Sequence, residues 1–249
     1  MAPTIMGIVN LTCNSFVESS RMAGRSLHEV LQRIQELSDD GAGIIDIGAC
    51  STAPGNRPVS EEEEWKALGA ALPEIFRSFP SLQFSLDTFR SGIVRKALAA
   101  AGREFIVNDI SAGQEDAQML PLVASEGLRY VATDRSEDPY GFFQVFAQTA
   151  DRLGIRDWIL DPGFGFGKSV ERCLQIMDRL ERFQDFSRPV LVGISRKRMI
   201  QIPCGLDAEN CAQQSVEAEV AAAAKGASII RTHDVALLRQ RLSQTNSNS

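Results

Sequence analysis

Short apolar, β-branched runs alternate along the chain with longer stretches in which apolar residues recur every three or four positions. The short runs are expected strands: Ile5–Val9, Ile44–Ile47, Gln83–Leu86, Glu104–Val107, Arg129–Ala132, Trp158–Leu160, Val190–Gly193 and Ser228–Ile230. The longer stretches predict helices near 27–40, 61–78, 90–101, 114–125, 139–152, 169–184, 207–225 and 234–243. After Ser60, Trp65, Leu68, Leu72, Ile75, Phe76 and Phe79 trace one helical face. Ser26 with Glu29, and Ser60 with Glu63, have capping-box spacing: the hydroxyl takes a free backbone N–H and the carboxylate reaches back. The acidic run Glu61–Glu64 falls in the first helical turn, where the dipole favours it, and is expected to be solvated.

Strands alternating with helices imply parallel βαβ units, and eight such units match an α/β fold of the (β/α)8 TIM-barrel type. No change of composition divides the chain, so residues 1–243 are expected to form a single barrel domain, with a polar, disordered tail at 244–249.

The full length of 249 residues suits one barrel of this kind. A net charge of −6 argues against a nucleic-acid partner, since such binding rests on basic surface. No apolar run reaches the roughly 18 residues of a membrane span, and the first residues lack a signal-peptide pattern. The five cysteines show no C-x-x-C spacing and the histidines number two, which disfavours a disulfide framework or a multi-histidine metal centre. The expected location is the cytoplasm.

The candidate chemistry lies at the strand ends. Asn10, Asp46, Asp87, Asn108, Asp161, Ser195-Arg196-Lys197 and Arg231-Thr232-His233 all fall at or just past expected C-terminal ends. In (β/α)8 barrels the active site lies at that end. Any one of these residues reads equally well as a helix cap; seven together point to a shared mouth. Strand 5, ending near Thr133 and Asp134, looks weakest. The carboxylates and amide suit a polar heterocycle rich in N–H donors, while Lys197, Arg231 and His233 suit an anion. The segment from Asp161 to Ser169 ends in Gly-Lys-Ser, but Pro162 stands where a P-loop needs glycine, so nucleotide-triphosphate binding is not expected.

Seven segments in order resemble the dihydropteroate synthase family: MGIVNLTCNSF from Met6, DIGACSTAPG from Asp46, SLDT from Ser85, VNDI from Val107, LDPGFGFGK from Leu160, VGISRK from Val192 and RTHDV from Arg231. The resemblance implies a (β/α)8 barrel, a homodimer and a role in folate biosynthesis. The implied reaction joins p-aminobenzoate to 6-hydroxymethyl-7,8-dihydropterin pyrophosphate and releases pyrophosphate. Carried over by motif, Asp87, Lys197 and Asp46 are candidate catalytic residues. Asn108, Asp161, Lys197, Phe166 and Gly193 are candidates for the pterin pocket. Arg231 and His233 fall to the pyrophosphate, Thr52 to a covering loop, and Asn10 to a magnesium ion as cofactor. Cys13 and Cys50 read as loop residues without a nucleophilic role.

The chain departs from the family pattern in three places. Ala53 replaces an arginine, with Arg57 nearby; Cys13-Asn14 replaces Pro-Asp; and Tyr130–Arg135 lacks a histidine motif. These leave open a second reading, a divergent pterin-binding relative with little or no synthase activity. A pterin-dependent methyltransferase is a third, and it would need a cobalamin partner.

Overall fold

The period-two alternation within each strand decides what the barrel encloses. In the computed structural model, which describes residues 2–11, 26–49 and 59–247, eight strands form one parallel sheet. They are β1 Thr4–Asn10, β2 Ile44–Gly48, β3 Gln83–Asp87, β4 Ile106–Asp109, β5 Tyr130–Thr133, β6 Trp158–Asp161, β7 Leu191–Val192 and β8 Ile229–Thr232. The hydrogen-bonded order is β6-β5-β4-β3-β2-β1-β8-β7. An isolated bridge between Leu160 and Val190, with Leu160 N–H donating to Pro189 O at 2.9 Å, brings β6 beside β7 and closes the (β/α)8 barrel.

Met6, Ile44, Ile106, Val131, Ile159, Leu191 and Ile229 form an apolar cluster separate from the main core. It fills the barrel interior, one residue from each of seven strands. Two positions further on, the same face carries Asp46, Asn108, Thr133, Asp161, Gly193 and Arg231. The interior cluster is therefore a floor, and the polar layer above it is set by strand periodicity alone. The opposite strand faces, including Ile45, Phe84, Val107, Tyr130, Leu160 and Ile230, pack against the helices in the larger core.

The helices are α1 Leu27–Asp39, α2 Glu61–Gly69, α3 Leu72–Ser78, α4 Ser91–Ala101, α5 Met119–Glu126, α6 Pro139–Leu153, α7 Val170–Asp178, α8 Arg198–Cys204, α9 Ala212–Ala224 and α10 Val235–Ser247. Both capping boxes form, at Ser26 with Glu29 and Ser60 with Glu63.

Several boundaries differ from the sequence pattern. The expected helix 61–78 is two helices, because Pro73 sits in the first turn of α3 and cannot continue α2. The stretch 169–184 is α7 followed by a 3-10 helix, Leu180–Phe186. Helix α5 starts late because Asp109 takes the N–H groups of Ser111 and Gly113 into a loop. Helix α9 starts at Ala212, after Asp207 has capped Glu209 and Asn210. The short helix α8, with Pro203 inside it, had no periodic signal. Helix α10 runs to Ser247, past the expected helix end at 243.

The acidic run is not uniformly solvated. Glu64 is fully buried and ion-paired with Arg90, whose guanidinium also donates to Val59 O at 2.5 Å. Glu61 pairs with Lys96 at 2.8 Å, so α2 is fastened to α4 by two members of the run.

Candidate active site

Strand register brings the polar ends together. Asn10, Asp87, Asn108, Asp161 and Arg231 lie in the last two positions of their strands, and Asp46 lies at the middle of β2. Asp46 is fully buried on β2. Asn108 Nδ2 donates to its two carboxylate oxygens at 3.3 and 3.2 Å, and Arg231 Nε donates to it at 2.7 Å. Arg231 Nη2 also donates to Asp87 at 3.1 Å. A cation from β8 thus bridges carboxylates of β2 and β3. This differs from the expected division, in which carboxylates face a heterocycle and cations face an anion. Close packing of the strand ends forces the opposite charges into contact. Asp46 is consequently a buried anchor for Arg231 and Asn108.

Burial and the neighbouring Asp46 carboxylate raise Asp87 to about 7, with Arg231 opposing the shift. A Cβ on Gly48 would stand 3.2 Å from the Asp87 side chain and 3.5 Å from Asn10 Oδ1, so the bare backbone there lets these two side chains approach each other across β2.

Asp161 is nearly buried at the end of β6. Its Oδ1 accepts the Gly163 N–H at 2.8 Å, and Thr133 Oγ1 lies 3.5 Å from Oδ2. Burial pushes its carboxyl above the usual carboxylate range, against the attraction of Lys197. Lys197, in the loop after β7, donates to Phe164 O at 2.6 Å and sits 4.7 Å over the Phe166 ring. Burial lowers it to about 8, while Asp161 opposes that shift. Gly193 is buried, and a Cβ there would lie 3.7 Å from the Arg231 side chain. Phe166, Gly193, Asp161 and Lys197 therefore wall one side of the mouth.

His233 comes directly after β8. Its Nδ1 lies 3.0 Å from Ser195 Oγ, and its backbone N–H donates to the same oxygen at 3.2 Å. Burial, reinforced by Arg231, Arg196 and Lys197, lowers it to about 3, so the ring is neutral across the ordinary pH range. Arg196 clamps this loop to its neighbour: Nε and Nη2 donate to Asp234 at 2.9 and 2.5 Å.

Strand 5 proves stronger than its sequence suggested. Thr133 reaches toward Asp161, and Asp134 forms a fully buried ion pair with Lys168 at 3.2 Å. Lys168 also donates to Asp134 O and Gly163 O at 3.0 and 3.3 Å. Gly163 has φ +69°, and a Cβ there would come within 1.7 Å of Asp134 O. The glycine pattern 163-165-167 thus shapes a turn that locks the loops after β5 and β6 together. Thr133, Ser195 and Thr232 stood at the expected strand ends without an assigned role, and Glu219 was missed by sequence reasoning. The first three were assignable by counting in steps of two from the floor residues or by position beside a singled-out residue; Glu219, on α9, carried no such signal. Thr52, Cys13, Asn14, Cys50, Ala53 and Arg57 lie outside the described residues.

The dihydropteroate synthase of Clostridium beijerinckii is 32% identical over 243 residues, covering 93% of this chain and 88% of that protein. The Xanthomonas albilineans dihydropteroate synthase solved with 4-aminobenzoic acid superposes with a TM-score of 0.89 at 31% identity, covering 99% of this chain and 93% of that one. The same enzyme in complex with 7,8-dihydropteroate gives 0.86 at 30% identity, over 99% and 94% of the two chains. The family described as pterin binding enzyme matches residues 6–233, a span that includes the C-terminal end of every strand, and the chain belongs to that family.

Proposed function

We propose that this protein is a dihydropteroate synthase of folate biosynthesis, forming a bond between the p-aminobenzoate nitrogen and the pterin methylene carbon while the carbon–oxygen bond to pyrophosphate breaks. The carrying observation is that Asp87, Asn108, Asp161 and Lys197, from four separate elements, surround one barrel mouth that also holds Arg231 and His233. The relatives' activity supports the same reading. The alternative of a relative without synthase activity finds no support among them.

In this reading Asp161 accepts paired N–H donors from the pterin, and Asn108 supplies a neutral amide beside it. Phe166 and Lys197 cover one face of the ring, with Gly193 leaving the space. Asp87, as a carboxylate, stabilises positive charge that develops on the pterin as pyrophosphate departs. Arg231 holds Asp87 and Asp46 in place and shares its charge with the leaving group, beside the neutral donor His233. Thr52 would belong to the covering loop.

Magnesium fits as an ion arriving with the pyrophosphate. Asn10 offers a single amide oxygen, and Asp46 and Asp87 are engaged by Arg231. Mg2+ commonly takes its remaining ligands from water and substrate phosphates. So bound, it would offset charge on the leaving group.

A homodimer is supported by Leu174 on α7 and Ile202 on α8, large apolar side chains exposed on two helices that pack side by side. A cytoplasmic location accords with the folate role, and no helix among the described residues is long and apolar enough to cross a membrane.

The test is a coupled assay of pyrophosphate release with both substrates, with the pterin product identified by mass. Release that requires both substrates supports the reading; none at saturating substrate and magnesium overturns it.

A further inference from the structure

Behind His233 lies a line of polar side chains that the proposed reaction does not use. Glu219, on α9, is fully buried among helix-packing residues. It lies 3.1 Å from Thr232 Oγ1 through Oε2, while Oε1 has no hydrogen-bond partner. Thr232 Oγ1 is 3.4 Å from Ser195 Oγ, and Ser195 Oγ is 3.0 Å from His233 Nδ1. Two backbone donors enter the line from the side: His233 N–H to Ser195 Oγ at 3.2 Å and Asp234 N–H to Thr232 Oγ1 at 3.1 Å.

Two directions of donation make every contact of the line a hydrogen bond. Each hydroxyl donates once and accepts up to twice. If Glu219 is ionised, donation runs from His233 Nδ1–H through Ser195 and Thr232 to the carboxylate. If Glu219 is a neutral acid, it donates to Thr232, Thr232 to Ser195, and Ser195 to an unprotonated His233 Nδ1. The surroundings choose between them. Arg196, whose charge favours an ionised Glu219, is held by both of its Asp234 bonds and does not pair with Glu219. The Thr232 and Ser195 hydroxyls favour the ionised form, but burial outweighs them, Asp234 adds like charge, and a carboxylate with one oxygen unpartnered and no contact with water is costly. Burial accordingly pushes the Glu219 acid well above the usual carboxylate range, and Arg231, Arg196 and Lys197 disfavour a charged His233.

We propose that Glu219 is a positioning residue: as a neutral acid it orients a one-way chain of hydroxyl protons through Thr232 and Ser195 that fixes His233 with its proton on Nε2, as a donor for the departing diphosphate. The role of the chain in fixing the ring is a property of the free protein; the diphosphate as acceptor rests on the proposed function.

The chain has two histidines, 28 and 233, and His28 lies exposed on α1, so a His28→Ala variant leaves one imidazole to observe. Two-bond 1H–15N spectra of 15N-histidine-labelled protein then read its tautomer directly. The expected result is an Nε2–H ring in the parent, retained in Glu219→Gln, whose amide N–H donates to Thr232 as the neutral acid does. Glu219→Leu and Thr232→Val should shift the ring toward Nδ1–H. An Nδ1–H ring in the parent, or a switch of tautomer on Glu219→Gln, overturns the proposal. So does an unchanged ring in both chain-breaking variants when each is folded by circular dichroism. Affinity for inorganic pyrophosphate with Mg2+, by calorimetry, separates the two ideas. Weakening of about tenfold in Glu219→Leu with retention in Glu219→Gln is expected. A tautomer that responds in this way while pyrophosphate affinity stays constant leaves the chain standing and overturns the diphosphate assignment of His233.

Discussion

Arg231 Nη2 donates to Asp87 at 3.1 Å, although the two residues stand 144 positions apart in the chain. The same guanidinium holds Asp46 at 2.7 Å. Strand β1 lies between β2 and β8, so the bridge crosses the barrel mouth rather than running along a hairpin. Because one cation serves two carboxylates, Asp87 is only partly compensated, and burial together with the Asp46 charge outweighs Arg231 in raising it.

Asp87 is raised to about 7 and Lys197 lowered to about 8. If Asp87 acts as the carboxylate and Lys197 as the ammonium, kcat/KM rises as pH climbs through about 7 and falls beyond about 8. Arg231→Gln removes the cation opposing the Asp87 shift, so the rising limb should move to higher pH. A pH–rate profile with no rising limb between about 6 and 8 would count against Asp87 as the working carboxylate.

Replacing Asp87 by Asn keeps its shape and removes its charge. If the charge acts on the transition state, as in the proposed reaction, turnover should fall far more than pterin affinity. Parallel losses in kcat and in calorimetric affinity would assign Asp87 to binding alone.

If Asp161 accepts the pterin's paired donors, Asp161→Ala removes two charge-assisted hydrogen bonds from the pterin edge. The expected loss of pterin affinity is about 3 kcal/mol or more, each such bond contributing about 1.5–3 kcal/mol. Titration calorimetry on the folded variant checks this; an unchanged affinity would move the pterin elsewhere.

The buried pair Lys168–Asp134 joins the loops after β5 and β6. Breaking it with Lys168→Met alone should cost about 3–5 kcal/mol of stability, because Asp134 is left charged and dry. The double change with Asp134→Leu should recover much of that cost. Urea denaturation of both variants measures the difference; equal losses would mean the pair adds nothing beyond its parts.

Gly163→Ala should lower the melting temperature strongly, since its Cβ would meet Asp134 O at 1.7 Å on a backbone of φ +69°. Gly165→Ala, at φ +81° but only 3.3 Å from the flexible Lys197 stem, should cost less stability and more pterin affinity. Thermal melts with and without pterin separate the two effects.

Most of the fold was legible because period two and period 3.6 are opposite signatures, and eight alternations leave few other architectures. Asp46, Asp87, Asn108, Asp161 and Arg231 were legible as polar interruptions of apolar runs. Their pairing was not: nothing local says that Arg231 will neutralise Asp46. Glu64 and Glu219 were misjudged or unseen for the same reason. A carboxylate on a helix looks solvated until the partner, Arg90 or Thr232, arrives from another segment. The break at Pro73 and the short helix α8 were obscured because an apolar pattern continues across a helix boundary as readily as along a helix.

Strand β7 spans two residues, and its link to β6 is a single bridge at Val190. Every other neighbouring pair of strands shares a proper ladder, so the cylinder carries a seam. Local opening should begin there, and amide exchange at Leu160 and Leu191 should outpace that at Ile45 and Ile47 on the long ladders of β2. Asp161 stands on one lip of this seam and Lys197 beyond the other. A pterin gripped by both would act as a stitch, so its strongest protection against exchange should fall on the seam rather than on the strands it touches most.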